Sequence, residues 1–339
     1  MLSYLRVAAS IAAVLVWSAA CAEAADRVNL VYVNDWPPPG GQMSVDQLNT
    51  LGSSDFTHVV FAYVNICEPG ASGFCPPVDR LELKLNGQPV YGPGGATVGS
   101  LQNAVRLLGR SKDVYFSFGG AEHPRTWDYL ARADDETVEK VALRLLTFMD
   151  NYGFAGIDLD IWKPVTGLTD GYVRLLSSLL RHFPELDFSS SPYSNALVGA
   201  GDPASIKWQR CAMEGIGAEP IWFNRKYYGD AFTADIPRTA GDDLAPFACA
   251  MPDGSSHQLR VAAEKLVPVL ATGDGTLPPS LATCTTTGAT PFYEPCATVA
   301  STIVSDYAGV PGAAVWRHMN IKYLEEYARE IGVAIGGTP

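Results

Sequence analysis

Short apolar runs alternate with amphipathic stretches along almost the whole chain after residue 27. Runs such as VNLVYV (28–33) and VVFAYV (59–64) are rich in β-branched and aromatic residues, which is typical of buried strands. Between such runs, apolar side chains recur at helical spacing, most clearly at 138, 141, 142, 145, 148 and 149. The pattern predicts an alternating strand and helix architecture.

Eight strands and about eight helices are predicted in strict alternation. The strands cover Val28–Val33, Val59–Val64, Val114–Phe118, Gly156–Ile161, Leu186–Ser190, Pro220–Phe223, Val267–Ala271 and Ala313–Trp316. The helices comprise a stretch capped by Ser44 and ending at Leu51, Ser100–Leu108, a long helix capped by Asp134 or Asp135, Tyr172–His182, Asp202–Met213, His257–Leu266, Ala297–Tyr307 and Ile321–Ile331.

This alternation, without a linker rich in Pro, Gly or Ser, predicts a single α/β domain that closes into a (β/α)8 TIM barrel. An open doubly wound sheet is the alternative, but the phosphate-binding pattern GxGxxG does not follow the first strand. In such a barrel the functional site lies at the carboxyl ends of the strands. We expect long loops after strands 2 and 6, at 65–98 and 224–256, to surround that end, and a hairpin turn at Asn86-Gly87.

The first residues have the features of an export signal. Arg6 gives a positive start, residues 7–20 form an apolar run, and Ala22-Glu23-Ala24 offers a small-x-small cleavage site. The run is short for a membrane span, and no later segment is long and apolar enough for one. We therefore expect a signal peptide at 1–24, a barrel domain at 25–339, and a secreted or periplasmic protein without a membrane span.

The composition narrows the classes of partner. The chain has 339 residues, of which 47% are hydrophobic, and its net charge is −12. Because an acidic chain repels phosphate backbones, we expect no nucleic-acid partner, and a neutral or cationic ligand is favoured.

Cysteines give a second indication of export. Cleavage of the signal removes Cys21, although lipid attachment at Cys21 is an alternative processing route. Six cysteines remain, which allow fifteen pairings. We expect the local disulfides Cys67–Cys75, Cys211–Cys249 and Cys284–Cys296, with free buried thiols as the alternative. The chain contains no CxxC or HxxxH pair, so neither a metal nor a cofactor is expected.

Two predicted strand ends carry polar motifs. The third strand ends FSFGG (116–120), and the fourth reads FAGIDLDIW (154–162). These segments resemble the SxGG and DGxDxDxE motifs of glycoside hydrolase family 18, the chitinases and their relatives. FAYV (61–64), SPY (191–193) and AAVW (313–316) are similar to the ends of the second, fifth and eighth strands of that family. The resemblance covers nearly the whole mature chain.

The resemblance implies a substrate-assisted glycosidase site with parts missing. Alternate strand residues point the same way, so Asp158, Asp160 and Trp162 face the barrel interior. In the family, the position of Trp162 is a Glu that protonates the glycosidic oxygen, and the Asp below it holds the substrate N-acetyl group that attacks the anomeric carbon. An indole cannot supply that proton. Ala155 replaces the first Asp of the motif, and Phe223 stands where the family often has a Tyr.

The candidate residues follow from these positions. The predicted ligand-binding residues are Ser117, Asp158, Asp160, Trp162, Tyr193, Phe223, Asn224 and Trp316. No catalytic residue is secure, and the candidates are Asp160, Asp158 and Glu122. Aromatic side chains that we expect at the open end, where sugars stack on rings, are Trp36, Trp162, Trp222, Tyr193, Tyr227, Tyr228 and Trp316. Arg225 and Lys226 are expected to contact an anionic ligand group or the acids of the following loop.

Three functions remain open on the sequence. The favoured hypothesis is a catalytically inactive, chitinase-like protein that binds a glycan, such as chitin or another N-acetylglucosamine-containing oligosaccharide. The second is an active glycosidase with a displaced acid, Glu122 or Asp160. The third is a scaffold that binds a protein partner and whose cleft is filled, for example by Trp162.

Overall fold

The computed structural model describes residues 27–33, 44–66, 83–85, 88–89, 96–120, 124–161, 168–193, 204–227, 236–251, 253–271, 284, 295–318 and 321–336. The predicted signal peptide and the predicted disulfide Cys67–Cys75 lie outside these residues. None of the described helices is long and apolar enough to cross a membrane.

Eight parallel strands close into a barrel, as the alternation predicts. Barrel strands 1 to 8 are Val28–Val33, His58–Asn65, Asp113–Gly119, Gly156–Ile161, Phe188–Pro192, Phe223–Lys226, Leu266–Ala271 and Gly312–His318. Each strand pairs with the next one along the chain. Strand 1 also pairs with strand 8, with Val31 opposite Val315, so the barrel is closed. The (β/α)8 fold is confirmed.

Helices cover the outside of the barrel. Their bounds are Val45–Ser53, Ala96–Leu108, Pro124–Arg132, Asp135–Tyr152, Leu168–His182, Ile206–Gly215, Ile236–Leu244, Cys296–Asp306 and Ile321–Ala334. Ser44 begins the first with a capping box that includes Gln47, and the Asp134 side chain caps the long helix. The helices Pro124–Arg132 and Ile236–Leu244 are additional to those that the sequence predicts.

Two small hairpins lie outside the barrel alternation. Lys84–Leu85 pairs antiparallel with Gln88–Pro89 on either side of the predicted turn, which confirms that hairpin. Phe247–Ala250 pairs with Ser256–Leu259, and a short 3-10 turn follows at Ala263–Lys265. The predicted helix His257–Leu266 is therefore wrong. Antiparallel pairing with the preceding strand outweighs the local helix propensity of this segment.

Strands 5 and 6 lie further along the chain than their apolar runs indicate. The sequence predicts Leu186–Ser190 and Pro220–Phe223, whereas the strands are Phe188–Pro192 and Phe223–Lys226. Both strands continue into polar residues that are fully buried, such as Ser191. Apolar runs therefore mark only part of each strand, because the buried residues at the carboxyl end of the strand are polar.

Alternating side chains create two separate apolar clusters. The larger cluster lies between the barrel and its helices and includes Val31, Phe116 and Phe148. The smaller cluster includes Leu30 and Tyr32, the neighbours of Val31 in strand 1, and therefore fills the barrel interior. A side chain's membership of one cluster or the other shows which face of the barrel wall it occupies.

Two of the predicted disulfides are confirmed. Cys211 bonds Cys249, which joins the helix after strand 5 to the second hairpin. Cys284 bonds Cys296 at the start of the helix before strand 8.

Candidate functional site

The SxGG segment shapes the backbone at the carboxyl end of strand 3. Gly119 and Gly120 have φ values of 105° and 88°, which favour glycine. A Cβ on Gly119 would overlap the Trp127 indole and the carbonyl oxygen of Asp160. That carbonyl accepts a hydrogen bond from Trp127 Nε1 at 2.8 Å and one from the Gly120 amide at 3.1 Å. The two glycines thus allow a close contact that fixes the backbone of Asp160.

Asp158 is a fully buried carboxylate whose oxygens are crowded with donors. The donors come from strands 1, 3, 5 and 6: Tyr32, Ser117, Ser189, Ser191 and Asn224. The shortest bonds, from Ser117 and Ser191, are 2.7 Å long. With five donors around two oxygens, the acceptor capacity of this carboxylate is filled. Asp158, in strand 4, is therefore hydrogen-bonded to strands 1, 3, 5 and 6 in the interior of the barrel.

Asp160 is also fully buried, but its surroundings differ. Its Oδ1 accepts a short hydrogen bond from Lys226 Nζ, which also donates to the Ser191 carbonyl at 3.2 Å. The Tyr63 side chain also hydrogen-bonds this carboxyl group. Burial raises the pKa of Asp160 to about 6 against the opposing effect of the Lys226 ammonium, and the Asp158 charge adds to the rise.

The register of strand 6 decides which of its side chains enter the barrel. Asn224 and Lys226 point inward, to Asp158 and Asp160 respectively. Arg225 points outward, where its Nε donates to Asp243 at 2.7 Å. The expected contact of Arg225 with the acids of the following segment is therefore confirmed. Lys226 instead pairs with the interior acid Asp160.

Phe223 does not face the interior. It is buried in the cluster between the barrel and its helices, because residues at odd positions of strand 6 point outward. The sequence places Phe223 where the family often has a Tyr hydroxyl, but the inward position next to Asp160 belongs to Lys226. Tyr193 likewise packs in the outer cluster and is 9% exposed.

Aromatic side chains lie at both ends of the barrel interior. Trp316 is 7% exposed, and its ring centroid lies 5.5 Å from that of Tyr32 and 5.4 Å from that of Tyr63. Trp222 lies at the opposite end, with its ring centroid 4.9 Å from that of His58, the first residue of strand 2.

Three expected members of the open end are therefore elsewhere, of which Tyr193 packs in the outer cluster. Trp222 precedes strand 6 and so lies at its amino end. The Tyr227 hydroxyl donates to Asp243 at 3.0 Å, outside the barrel wall. Trp36, Glu122, Trp162 and Tyr228 lie outside the described residues. Among the described residues, no group of three His, Cys, Asp or Glu side chains could hold a metal ion.

Comparison with known families agrees with this geometry. The sequence model described as glycosyl hydrolases family 18 matches residues 28–202, which is more than half of the chain. The chain belongs to glycosyl hydrolase family 18. The matched segment contains the SxGG glycines, Asp158 and Asp160. No curated protein matches the chain in sequence.

Several solved structures similar to this family 18 barrel are chitinases. Chitinase ChiC from Aspergillus fumigatus is 20% identical with a TM-score of 0.62, over 87% of this chain and 92% of that one. A chitinase from Chromobacterium violaceum is 17% identical with a TM-score of 0.54, over 92% and 100%. A class V chitinase from Nicotiana tobaccum, solved in complex with NAG4, is 14% identical with a TM-score of 0.53, over 91% and 99%. At these identities the likeness shows the fold.

The structure brings together residues that the sequence treats separately. Ser117, Asp158, Asp160 and Asn224 meet in one buried group, together with Ser191 of the SPY segment and with three residues outside the quoted motifs: Tyr32, Ser189 and Lys226. We call these eight residues the polar layer. A signal for Lys226 was available, since it lies two residues beyond Asn224 on the same strand.

Proposed function

We propose that this family 18 barrel binds a chitin-like oligosaccharide containing N-acetylglucosamine and does not hydrolyse it. We also propose that the protein acts outside the cytoplasm, as a secreted or periplasmic product, after loss of residues 1–24. The two disulfides are compatible with an oxidising compartment.

The state of the interior carboxylates carries the proposal. Five donors fill the oxygens of Asp158, and Asp160 is held by Lys226. General acid catalysis needs a group that can deliver a proton to the leaving oxygen. The position that the family motif reserves for this group is occupied by Trp162 in the sequence. No acid of the motif is therefore available for that step.

Aromatic side chains at the carboxyl ends of the strands support glycan binding. Trp316, near the carboxyl end of strand 8, packs against Tyr32 and Tyr63 and keeps a small exposed area. The C–H faces of sugars bind to such aromatic surfaces. The Nicotiana chitinase solved with NAG4 shares the fold, which supports a chitooligosaccharide as the first ligand to test.

The experiment is a parallel measurement of binding and cleavage. We expect calorimetric titration with chitotetraose to show binding and a reducing-end assay to show no product. Trp316→Ala should weaken binding by about tenfold through loss of ring contacts. Trp222→Ala, which removes an indole at the opposite end, is the matched control and should keep the affinity of the wild type.

Other outcomes would contradict the proposal in distinct ways. Release of reducing ends that Glu122→Gln or Asp160→Asn abolishes would indicate an active glycosidase with a displaced acid. Absence of binding across a panel of chitin and other glycans would favour a barrel with a filled cleft that binds a protein partner.

A further inference from the structure

We propose that Lys226 is a second block to hydrolysis, independent of the residue at 162, because its ammonium holds positive charge where glycoside cleavage requires negative charge. The inference rests on the proposed binding of a chitooligosaccharide at the carboxyl ends of the strands. It assigns a role to a residue that no motif indicates.

The position of Lys226 is fixed from three sides. It belongs to strand 6, its Nζ bonds Asp160 Oδ1 on strand 4, and the same Nζ donates to the Ser191 carbonyl on strand 5 at 3.2 Å. Its side chain is 0% exposed, as is that of Asp160. A fully buried lysine held by two strands cannot turn away to solvent when a ligand enters.

The charge of Lys226 opposes the chemistry of the fold family. Cleavage of a glycosidic bond passes through a transition state with oxocarbenium character, which places positive charge on the sugar. Sites that catalyse such reactions orient negative groups toward that charge. Here the ammonium lies against Asp160 and offsets its charge, and the low polarity of a buried site strengthens every such interaction.

The pairing also removes Asp160 as a substitute acid. The ion pair favours the ionised form of Asp160, and the bond to Lys226 occupies Oδ1. Asp158 offers no replacement, since donors already surround both of its oxygens. A carboxylic acid introduced at position 162 therefore supplies a proton donor, but the Lys226 ammonium still disfavours the positively charged transition state.

An activated substrate distinguishes the effect of the missing acid at position 162 from the effect of the Lys226 charge. 4-Nitrophenyl N,N′-diacetyl-β-chitobioside has a leaving group that needs little protonation, so its hydrolysis by one water molecule to 4-nitrophenol and N,N′-diacetylchitobiose depends weakly on the missing acid. At a pH high enough for Asp160 to be ionised in the variant, we expect Lys226→Met to release 4-nitrophenol about 10²-fold faster than the wild type, a change of the size that transition-state electrostatics contribute. Lys226→Arg keeps the positive charge and should stay inactive.

A second pair of variants tests independence from the acid. On chitotetraose, Trp162→Glu alone should remain at least about tenfold slower than Trp162→Glu combined with Lys226→Met. Lys226→Gln, which removes the charge but keeps a donor for Asp160, covers the case in which the Met variant does not fold. Equal rates for the single and double variants would overturn the proposal.

A titration without any glycan tests the underlying coupling. Removal of Lys226 should move the protonation of Asp160, followed by infrared absorption of the carboxyl group, to higher pH, with Asp160→Asn as the assignment control. An unmoved titration would overturn the proposal. Chitobioside binding without any acceleration would overturn the Lys226 proposal alone, whereas absence of binding by every variant would overturn the proposed function as well.

Discussion

At the residue scale, Asp160 shows how two nearby carboxylates acquire different properties. Asp158 is surrounded by hydroxyl and amide donors, whereas the main partner of Asp160 is the cationic Lys226, with a further hydrogen bond from Tyr63. Burial raises the pKa of Asp160 from 3.8 to about 6. The folded protein therefore binds the Asp160 proton more tightly than the unfolded chain does.

This shift predicts a pH dependence of stability with a definite sign. The stabilisation linked to Asp160 protonation is fully present below pH 3.8 and is lost as the pH rises through about 6. Urea unfolding of the wild type and Asp160→Asn across this window should show that the wild type loses stability relative to the variant as pH increases. A constant difference between the two proteins would contradict the assignment.

Asp253 provides a control of opposite sign. Hydrogen bonds from the Ser255 side chain and amide lower the pKa of this exposed carboxyl. Its contribution is therefore present above its unfolded pKa and is lost as pH falls. The comparison of Asp253→Asn with the wild type should slope in the direction opposite to that of Asp160→Asn.

At the element scale, Gly119 and Gly120 at the end of strand 3 pack directly on the end of strand 4. A Cβ on Gly119 would overlap the Asp160 carbonyl oxygen and the Trp127 indole. Trp127 Nε1 also donates a hydrogen bond to that carbonyl. The helix Pro124–Arg132, which the sequence analysis does not predict, carries Trp127 into this contact. The helix Pro124–Arg132 and the SxGG motif thus both contact the carboxyl end of strand 4.

Replacement of Gly119 should disrupt this junction. Gly119→Ala combines a disfavoured φ of 105° with an overlap against backbone, and we expect a loss of more than about 2 kcal/mol in the free energy of unfolding. Gly217→Ala is the matched control, because Gly217 has a φ of 64° with nothing within 4 Å of an added Cβ. Its cost should be about 1 kcal/mol, from backbone conformation alone. Denaturant unfolding measures both, and equal costs would refute the overlap.

Much of the fold is predictable from the sequence, while the partners of the polar layer are not. Strand 4 and its two acids are local patterns, and the structure confirms the strand bounds Gly156–Ile161. Strand 6 is different, because its inward lysine is stabilised by Asp160, 66 positions earlier. Local apolarity ends at Phe223, so the sequence predicts a loop where long-range ion pairing extends the strand.

At the scale of the whole molecule, the alternation and the absence of GxGxxG after the first strand together predict barrel closure, and the disulfides reinforce its outer segments. Cys211–Cys249 spans 38 positions and Cys284–Cys296 spans 12. Neither bond touches the polar layer, so both act on the surroundings of the barrel. Local spacing identified these two pairs among the possible pairings, since each joins cysteines adjacent in the order along the chain.

Loss of the longer disulfide should destabilise the protein more. Closing a longer loop removes more entropy from the unfolded chain, by about 4 kcal/mol for Cys211–Cys249 and about 3 kcal/mol for Cys284–Cys296. Alanine replacement of each pair, followed by urea unfolding under oxidising conditions, measures the two costs. The reverse order would show that native-state interactions, not chain entropy, dominate. Chitotetraose affinity should persist in both variants.

The buried pair of Lys226 and Asp160 has an evolutionary consequence. Each residue is the counterion of the other, and loss of one partner from such a pair leaves an isolated charge at a cost of about 3–5 kcal/mol. A variant with a change at only one of these positions would lose that stability until the second position also changed. The pair therefore constrains both positions together, and a lasting change at one is expected to require a compensating change at the other.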